Sequence, residues 1–157
     1  MVRLTEGLYW FSALGCGLIA GVFYAFSSFV MPALSRLPAA QGVQVMHEIN
    51  RMAVTKPFLV VFVGTALSCL LLAIVSALDL GNAPARWRLV ASASYLVGTF
   101  LLTIAYHVPR NEALDRVSPA SLEAAARWAS YLAEWVPGNH VRAGAALLGL
   151  IGLIVGR

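Results

Sequence analysis

The sequence predicts an all-α fold, a bundle of four transmembrane helices, from three observations. Of the 157 residues, 60% are hydrophobic and 11% are charged, and the mean hydropathy is +0.79. Charge-free runs recur at close to the roughly 20 residues that cross a bilayer as a helix. Turns containing proline, glycine and asparagine separate these runs. We therefore expect one integral membrane domain over residues 1–157, multi-pass and in the cell membrane.

The four predicted spans cover residues 8–30, 57–79, 88–108 and 137–156. The first is longer than the apolar region of a cleaved signal peptide and no convincing cleavage site follows it, so we expect it to be retained. The turn GNAPAR separates the second span from the third. The connection between the first two spans is longer and has a pattern of its own.

Residues 40–54 have the pattern of an amphipathic helix at the membrane interface. Val43, Met46, Ile49 and Met52 recur at three-residue steps, with the charged side chains largely on other faces. We expect this helix to lie flat over the end of the bundle. It also carries a polar group that suits either a binding site or a solvated face: His47, Asn50 and Arg51.

The stretch WASYLAEWVPGNHVR, residues 128–142, carries the most informative pattern. Its large or polar side chains recur at steps of three and four residues, which places them on one stripe of a helix: Trp128, Tyr131, Trp135, Asn139 and Arg142. Pro137 and Gly138 interrupt this ladder. Because proline suits a first helical position, we expect a short helix that meets span four at a corner, with span four starting at Pro137.

Four crossings determine which loops share a membrane surface. The end of span one, the start of span two, the end of span three and the start of span four must lie together, on a surface that we call the cap. The cap holds all three histidines and most other candidate polar residues: His47, His107, His140, Asn50, Asn111, Asn139 and Arg142. A mostly apolar ligand with a few polar atoms would suit this surface. Tyr24, an i,i+4 neighbour of Ser28 near the end of span one, is a further ligand-binding candidate.

The alternative interpretation is an ordinary aromatic belt with arginines on lipid headgroups. For Trp128 and Tyr131 alone this alternative is favoured. The apolar run after Arg142 has 14 residues and rises only about 21 Å, less than the roughly 30 Å of hydrocarbon. Asn139, His140 and Arg142 are therefore drawn to the membrane boundary, where an ionisable residue is a functional candidate.

Other classes of site have weaker support. No two histidines have i,i+3 or i,i+4 spacing, so we predict no metal site, and a metal or haem held by histidines from separate helices is an alternative. Cys16 and Cys69 lie in apolar runs as small core residues. The net charge of +4 contains no polybasic run, which predicts lipid headgroups and no nucleic acid as partners. Glycine pairs on spans one and four suit a homo-oligomer.

Four motifs resemble a four-helix membrane family that includes the anthrone oxygenases of polyketide pathways. They are GVFYAFSSFVMPALS, MHEINRM, the N-x-x-L of residues 111–114, and above all W-x-x-Y-x-x-x-W-x-x-x-N-H-x-R. The resemblance implies oxidation of an anthrone-like aromatic to a quinone by molecular oxygen, without flavin or haem. Ala113 and Asp115 stand where the family pattern has a proline and a second asparagine.

The oxidation that this resemblance implies suggests a role for each candidate site residue. His140 would be the base, with His47 in reserve, because imidazole titrates near neutral pH. Arg142, with Asn139 or Asn111, would hold the enolate oxygen. The aromatic stripe would cover the rings of the substrate: Trp128, Tyr131 and Trp135. The competing hypothesis is a non-catalytic module that uses the cap to bind a lipid, a quinone or a partner subunit.

Overall fold

The computed structural model describes residues 2–157, with side chains from Thr5 onwards. All regular elements of this part of the chain are helices, and four of them have the length and apolar composition to cross a membrane: Thr5–Leu34, Lys56–Ala77, Ala83–Asp115 and Ala124–Val155. We call them spans one to four. The predicted all-α fold with four membrane helices is confirmed, and the protein is a multi-pass integral membrane protein.

Span one combines three helical pieces in one continuous rod. An α-helix over Val2–Ala25 passes into one π-helical turn, Phe26–Val30, and then into a short helix, Met31–Leu34. The last piece begins with Met31 and Pro32, and proline is common in the first turn of a helix. Leu34, at its end, is buried in the cap.

The helix Ala39–Ala53, which we call the roof helix, is the amphipathic helix predicted between spans one and two. Its buried face consists of Gly42, Val43, Met46 and Asn50. At Gly42 the backbone comes so close to span four that an added Cβ would lie 2.6 Å from Cε2 of Trp128. Glycine is therefore what allows the roof helix to pack on the aromatic stripe.

Span three continues further into the cap than the sequence predicts. It contains an α-helix, Ala83–Tyr95, two π-helical segments, Leu96–Leu101 and Thr103–His107, and a final helix, Val108–Asp115. The expected end near Pro109 does not occur. Pro109 lies in the first turn of the final helix, a position that proline commonly occupies.

The predicted corner at Pro137 is wrong, because span four runs unbroken from Ala124 to Val155 with Pro137 inside it. The short helix expected before span four is the first part of this same helix. Side chains of span three contact the carbonyl groups around the proline: the Tyr106 hydroxyl donates to Glu134 O at 3.0 Å, and Nε2 of the His107 ring lies 3.3 Å from Trp135 O. These contacts support the backbone next to the proline, as neighbouring helices do where membrane helices tolerate proline.

The bundle packs around two buried clusters. One fills the membrane core between all four spans and includes Cys16, Cys69 and Tyr95. The other lies in the cap and joins the roof helix to the aromatic stripe of span four. Gly152 packs against span three, with an added Cβ 2.9 Å from that of Ala91. This glycine therefore serves contacts within the chain, and a homo-oligomer stays a prediction.

Candidate functional site

A cavity of about 680 Å³ lies between the roof helix and the cap ends of spans one, two, three and four. Its walls are mostly apolar, and all four spans contribute aromatic rings: Phe23, Phe26, Phe58, Phe62, Phe100 and Trp135. The roof helix adds Met46 and Ile49. The cavity has the size and apolar lining of a small-molecule site.

The polar lining of the cavity differs between its inner end and its mouth. Arg142 and Thr103 lie deepest in the membrane, and Asn111 follows Thr103 by eight residues in span three, a rise of about 12 Å. Carboxylates surround the mouth: Glu48, Glu112 and Asp115. An elongated ligand would therefore meet a cation inside and anions at the entrance.

Arg142 is the unusual group in this cavity. It is 4% exposed, and its guanidinium donates to Thr103 Oγ1 at 3.2 Å and to Asn139 Oδ1 at 2.8 Å. Its Cζ lies 4.2 Å from the centroid of the Phe23 ring. Among the described residues Nε has no hydrogen-bond partner, and no carboxylate lies within ion-pair distance of Arg142.

A buried guanidinium without a counter-ion is energetically expensive. Removing one ion from water costs several kcal/mol even after relaxation. A cation–π contact returns about 1 to 2 kcal/mol, and the hydroxyl and amide partners are neutral. The positive charge thus remains uncompensated beside the cavity, which is the electrostatic condition for binding an anion.

Asn139 holds Arg142 in place and ties span four to span one. Its Nδ2 donates to Phe23 O and to Ser27 Oγ, both at 2.8 Å, while its Oδ1 accepts from Arg142. The backbone carbonyl can only accept, so the orientation of the amide is fixed. Asn139 is fully buried, as expected for a group that positions a charged side chain.

Asn111 connects the aromatic stripe to the cavity. Its Oδ1 accepts from the Tyr131 hydroxyl and from Trp135 Nε1, both at 2.9 Å. An indole N–H can only donate, so Oδ1 is the acceptor and the amide nitrogen is left over. That nitrogen donates to no other described residue. Since Asn111 lines the cavity, its amide is available to a ligand.

The predicted aromatic stripe is a continuous stack. The ring centroids of Trp128 and Tyr131 are 5.7 Å apart at 15°, and those of Tyr131 and Trp135 are 6.0 Å apart at 28°. Only Trp135 of these three lines the cavity. Tyr131 acts through Asn111, and Trp128 lies under the roof helix. The stripe therefore mainly holds Asn111 and the roof helix in place, and only Trp135 could contact a ligand in the cavity.

The three histidines lie in three different environments, and none lines the cavity within the described chain. His107 is fully buried with its ring edge on Trp135. Nε2 of His47 lies 3.0 Å from Leu114 O, and because a carbonyl oxygen can only accept, this nitrogen donates. His140 is exposed on the outer face of span four. No metal-holding group of three or more His, Cys, Asp or Glu side chains occurs among the residues described.

The remaining predicted residues divide between the cavity and the outside. Asn50 lines the cavity and donates to Asp115 Oδ1 at 3.0 Å. Tyr24 is 67% exposed, on the outer face of span one. The structure thus brings together Arg142, Asn139, Asn111 and Trp135 at or beside the cavity, and it leaves His140 and Tyr24 apart from them.

Thr99 and Thr103 were missed by the sequence analysis. Thr103 Oγ1 accepts from Arg142 and donates to Thr99 O at 2.7 Å, while Thr99 Oγ1 donates to Arg142 O at 3.1 Å. Their i,i+4 spacing inside a charge-free span was the available signal.

Two π-helical segments begin at residues that line the cavity, one at Thr103 and another at Phe26. Such segments are frequent at functional sites.

Comparison with known proteins gives one finding. The family model described as anthrone oxygenase matches residues 58–152, more than half of the chain. No curated protein matches the chain, and no solved structure does. The matched region contains Arg142, Asn139, Asn111 and the whole aromatic stripe. The chain therefore belongs to the anthrone oxygenase family.

Proposed function

We propose that this protein oxidises an anthrone-like hydroxylated aromatic with molecular oxygen, and that the substrate binds in the cavity as its anion. The observation that carries the proposal is Arg142: buried, without a carboxylate partner among the described residues, and facing the cavity. An enolate or phenolate supplies the missing negative charge. Family membership supports the same class of chemistry.

The lining of the cavity suits a flat aromatic body with oxygen atoms at its edges. The substrate's anionic oxygen would meet Arg142, and the free amide of Asn111 would donate to an oxygen further out. Trp135 lies between these two groups, and the Cζ atom of Arg142 is 5.0 Å from the centroid of the Trp135 ring. The Trp135 ring would stack on the aromatic rings of the substrate. Hydrogen-bond donors fixed where negative charge develops in the transition state are usually a large source of an enzyme's rate enhancement.

The reaction can be written with only substrate and oxygen. The methylene carbon opposite the ketone loses a proton, and the carbanion passes one electron to oxygen to give a carbon radical and superoxide. These combine, and a proton completes a carbon hydroperoxide. Loss of water from the hydroperoxide leaves the quinone carbonyl, so one oxygen atom enters the product and the other leaves as water. The substrate itself is the reductant, and the proposal includes no organic cofactor.

In this proposal no histidine is the base. His140 lies on the outer face of span four, and Nε2 of His47 donates to Leu114 O. The substrate instead releases its proton to water at the mouth, near the carboxylates, and Arg142 selects the ionised form. His140→Ala protein should therefore oxidise substrate at the parent rate. A large loss of activity in that variant, with the fold intact, would restore His140 as the base.

The test uses purified protein in detergent, a dihydroxyanthrone as substrate and an oxygen electrode, with quinone formation followed by absorbance. Arg142→Gln should lower kcat/KM by about a hundredfold, the usual cost of losing one oxyanion donor. Arg127→Gln is the matched control, because Arg127 lies on the same helix but is exposed and paired with Glu123. Equal rates for the parent and Arg142→Gln proteins would contradict the proposal.

The second candidate is the non-catalytic module. The mostly apolar walls and the buried guanidinium of Arg142 would also accept a fatty carboxylate or a quinone. Binding of such a ligand without any oxygen uptake would favour this candidate. Stoichiometric iron, copper or zinc in the same sample, with activity that a chelator abolishes, would favour a metal protein instead.

A further inference from the structure

A second cavity, of about 520 Å³, opens at the membrane surface opposite the cap. The starts of spans one and three and the end of span four form it, since these ends share one surface in a four-span bundle. Its lining combines two arginines, Arg88 and Arg157, with Tyr9 and Trp10. The proposed oxidation uses none of these residues.

The two guanidinium groups have little to neutralise them. Arg88 is half-buried, and its Nε donates to Gly156 O at 2.9 Å, which leaves its two terminal nitrogens without a partner among the described residues. The Cζ of Arg157 lies 4.8 Å from the centroid of the Trp10 ring. Glu6 also lines this cavity, but neither arginine forms an ion pair within the described chain. The side chains that line the cavity therefore carry a net positive charge, from two guanidinium groups and one carboxylate.

We propose that this cavity binds the phosphate of an anionic membrane phospholipid. A guanidinium whose Nε is already held presents its outer nitrogens as a fixed fork, which matches the geometry of phosphate oxygens. Tryptophan and tyrosine beside it are typical of the headgroup region. Leu14 and Leu18 follow along span one toward the membrane centre, 67% and 61% exposed, and form an apolar surface for the acyl chains.

The experiment measures phospholipid binding to the detergent-purified protein by native mass spectrometry, with phosphatidylglycerol as the probe and phosphatidylcholine for comparison. The double variant Arg88→Gln/Arg157→Gln should bind phosphatidylglycerol about tenfold more weakly, the effect of losing charge-assisted hydrogen bonds. Arg86→Gln is the matched control, because Arg86 lies on the same helix but is exposed and outside the cavity. It should bind as the parent does.

Two results would overturn the proposal. One is equal phosphatidylglycerol binding by the double variant and the parent. The other is displacement of the lipid by inorganic phosphate at a similar concentration, which would mean that the site binds free phosphate. The single variant Arg157→Gln distinguishes loss of lipid binding from misfolding of the double variant. It should fold as the parent does, because Arg157 makes no hydrogen bond to a described residue. It should weaken lipid binding measurably while leaving the thermal midpoint unchanged.

Discussion

At the scale of single residues, Asn139 determines whether the charge of Arg142 is available to a ligand. Its neutral amide oxygen accepts from the guanidinium at 2.8 Å, so the positive charge persists. Asn139→Asp would replace this oxygen with a carboxylate oxygen and pair the charge internally. We expect binding of an anionic hydroxyanthraquinone to fall by about tenfold or more, since an opposite charge at this distance competes directly.

This prediction can be checked by quenching of tryptophan fluorescence as hydroxyanthraquinone is added. Asn82→Asp provides the matched control, because the same chemical change then falls in an exposed turn at the opposite surface. Unchanged affinity in a folded Asn139→Asp protein would show that the cavity does not bind its ligand through charge.

The sequence could predict which side chains of span four face inward, but it did not assign all of their chemical roles correctly. The three- and four-residue ladder correctly grouped Asn139 and Arg142 on one inward stripe with Trp135. His140 follows Asn139 by one position, which turns it about 100° round the helix and off the stripe. Histidine chemistry suggested a base, while the periodicity of the helix already excluded it from the inner face.

At the scale of helical elements, Pro137 and Gly138 are where sequence reasoning failed. The sequence shows that Pro137 lacks an N–H. It does not show that Tyr106 donates to Glu134 O or that the His107 ring lies against Trp135 O. Those contacts depend on how spans three and four pack. Span three extends past Pro109 for a related reason, because a π-helical segment precedes the proline.

Gly138 permits this close packing. An added Cβ would lie 2.7 Å from Cε1 of Tyr106 and 2.9 Å from Cε1 of His107. We therefore expect Gly138→Ala to destabilise the folded protein by about 1 to 3 kcal/mol, the usual cost of overpacking. The measurement is the thermal unfolding midpoint in detergent.

Gly144→Ala is the control, in the same helix, since no described atom would lie within 4 Å of its added Cβ. Alanine favours a helix more than glycine does, so this control should hold or raise the midpoint. Equal midpoints for the two variants would mean that spans three and four do not pack closely at Gly138.

At the scale of the whole molecule, the sequence predicted which groups share a membrane surface but not which share a cavity. Charge-free runs predicted the four crossings. The crossings placed the three histidines at the cap, together with Asn50, Asn111 and Asn139. A cavity forms between helices, so its lining depends on how each rod is rotated. Phe23 and Phe100 line it, yet nothing in their local sequence distinguishes them from core residues.

The uncompensated positive charge of Arg142 should make the cavity select an ionised ligand. The decisive measurement is the titration of a hydroxyanthraquinone, whose absorption changes on ionisation, bound to the protein in micelles. We predict that the pKa of the bound phenol lies below its value in protein-free micelles, since a nearby cation favours the anion, and that Arg142→Gln removes this difference. An identical pKa with and without protein, or in parent and Arg142→Gln protein, would mean that Arg142 does not select the anion.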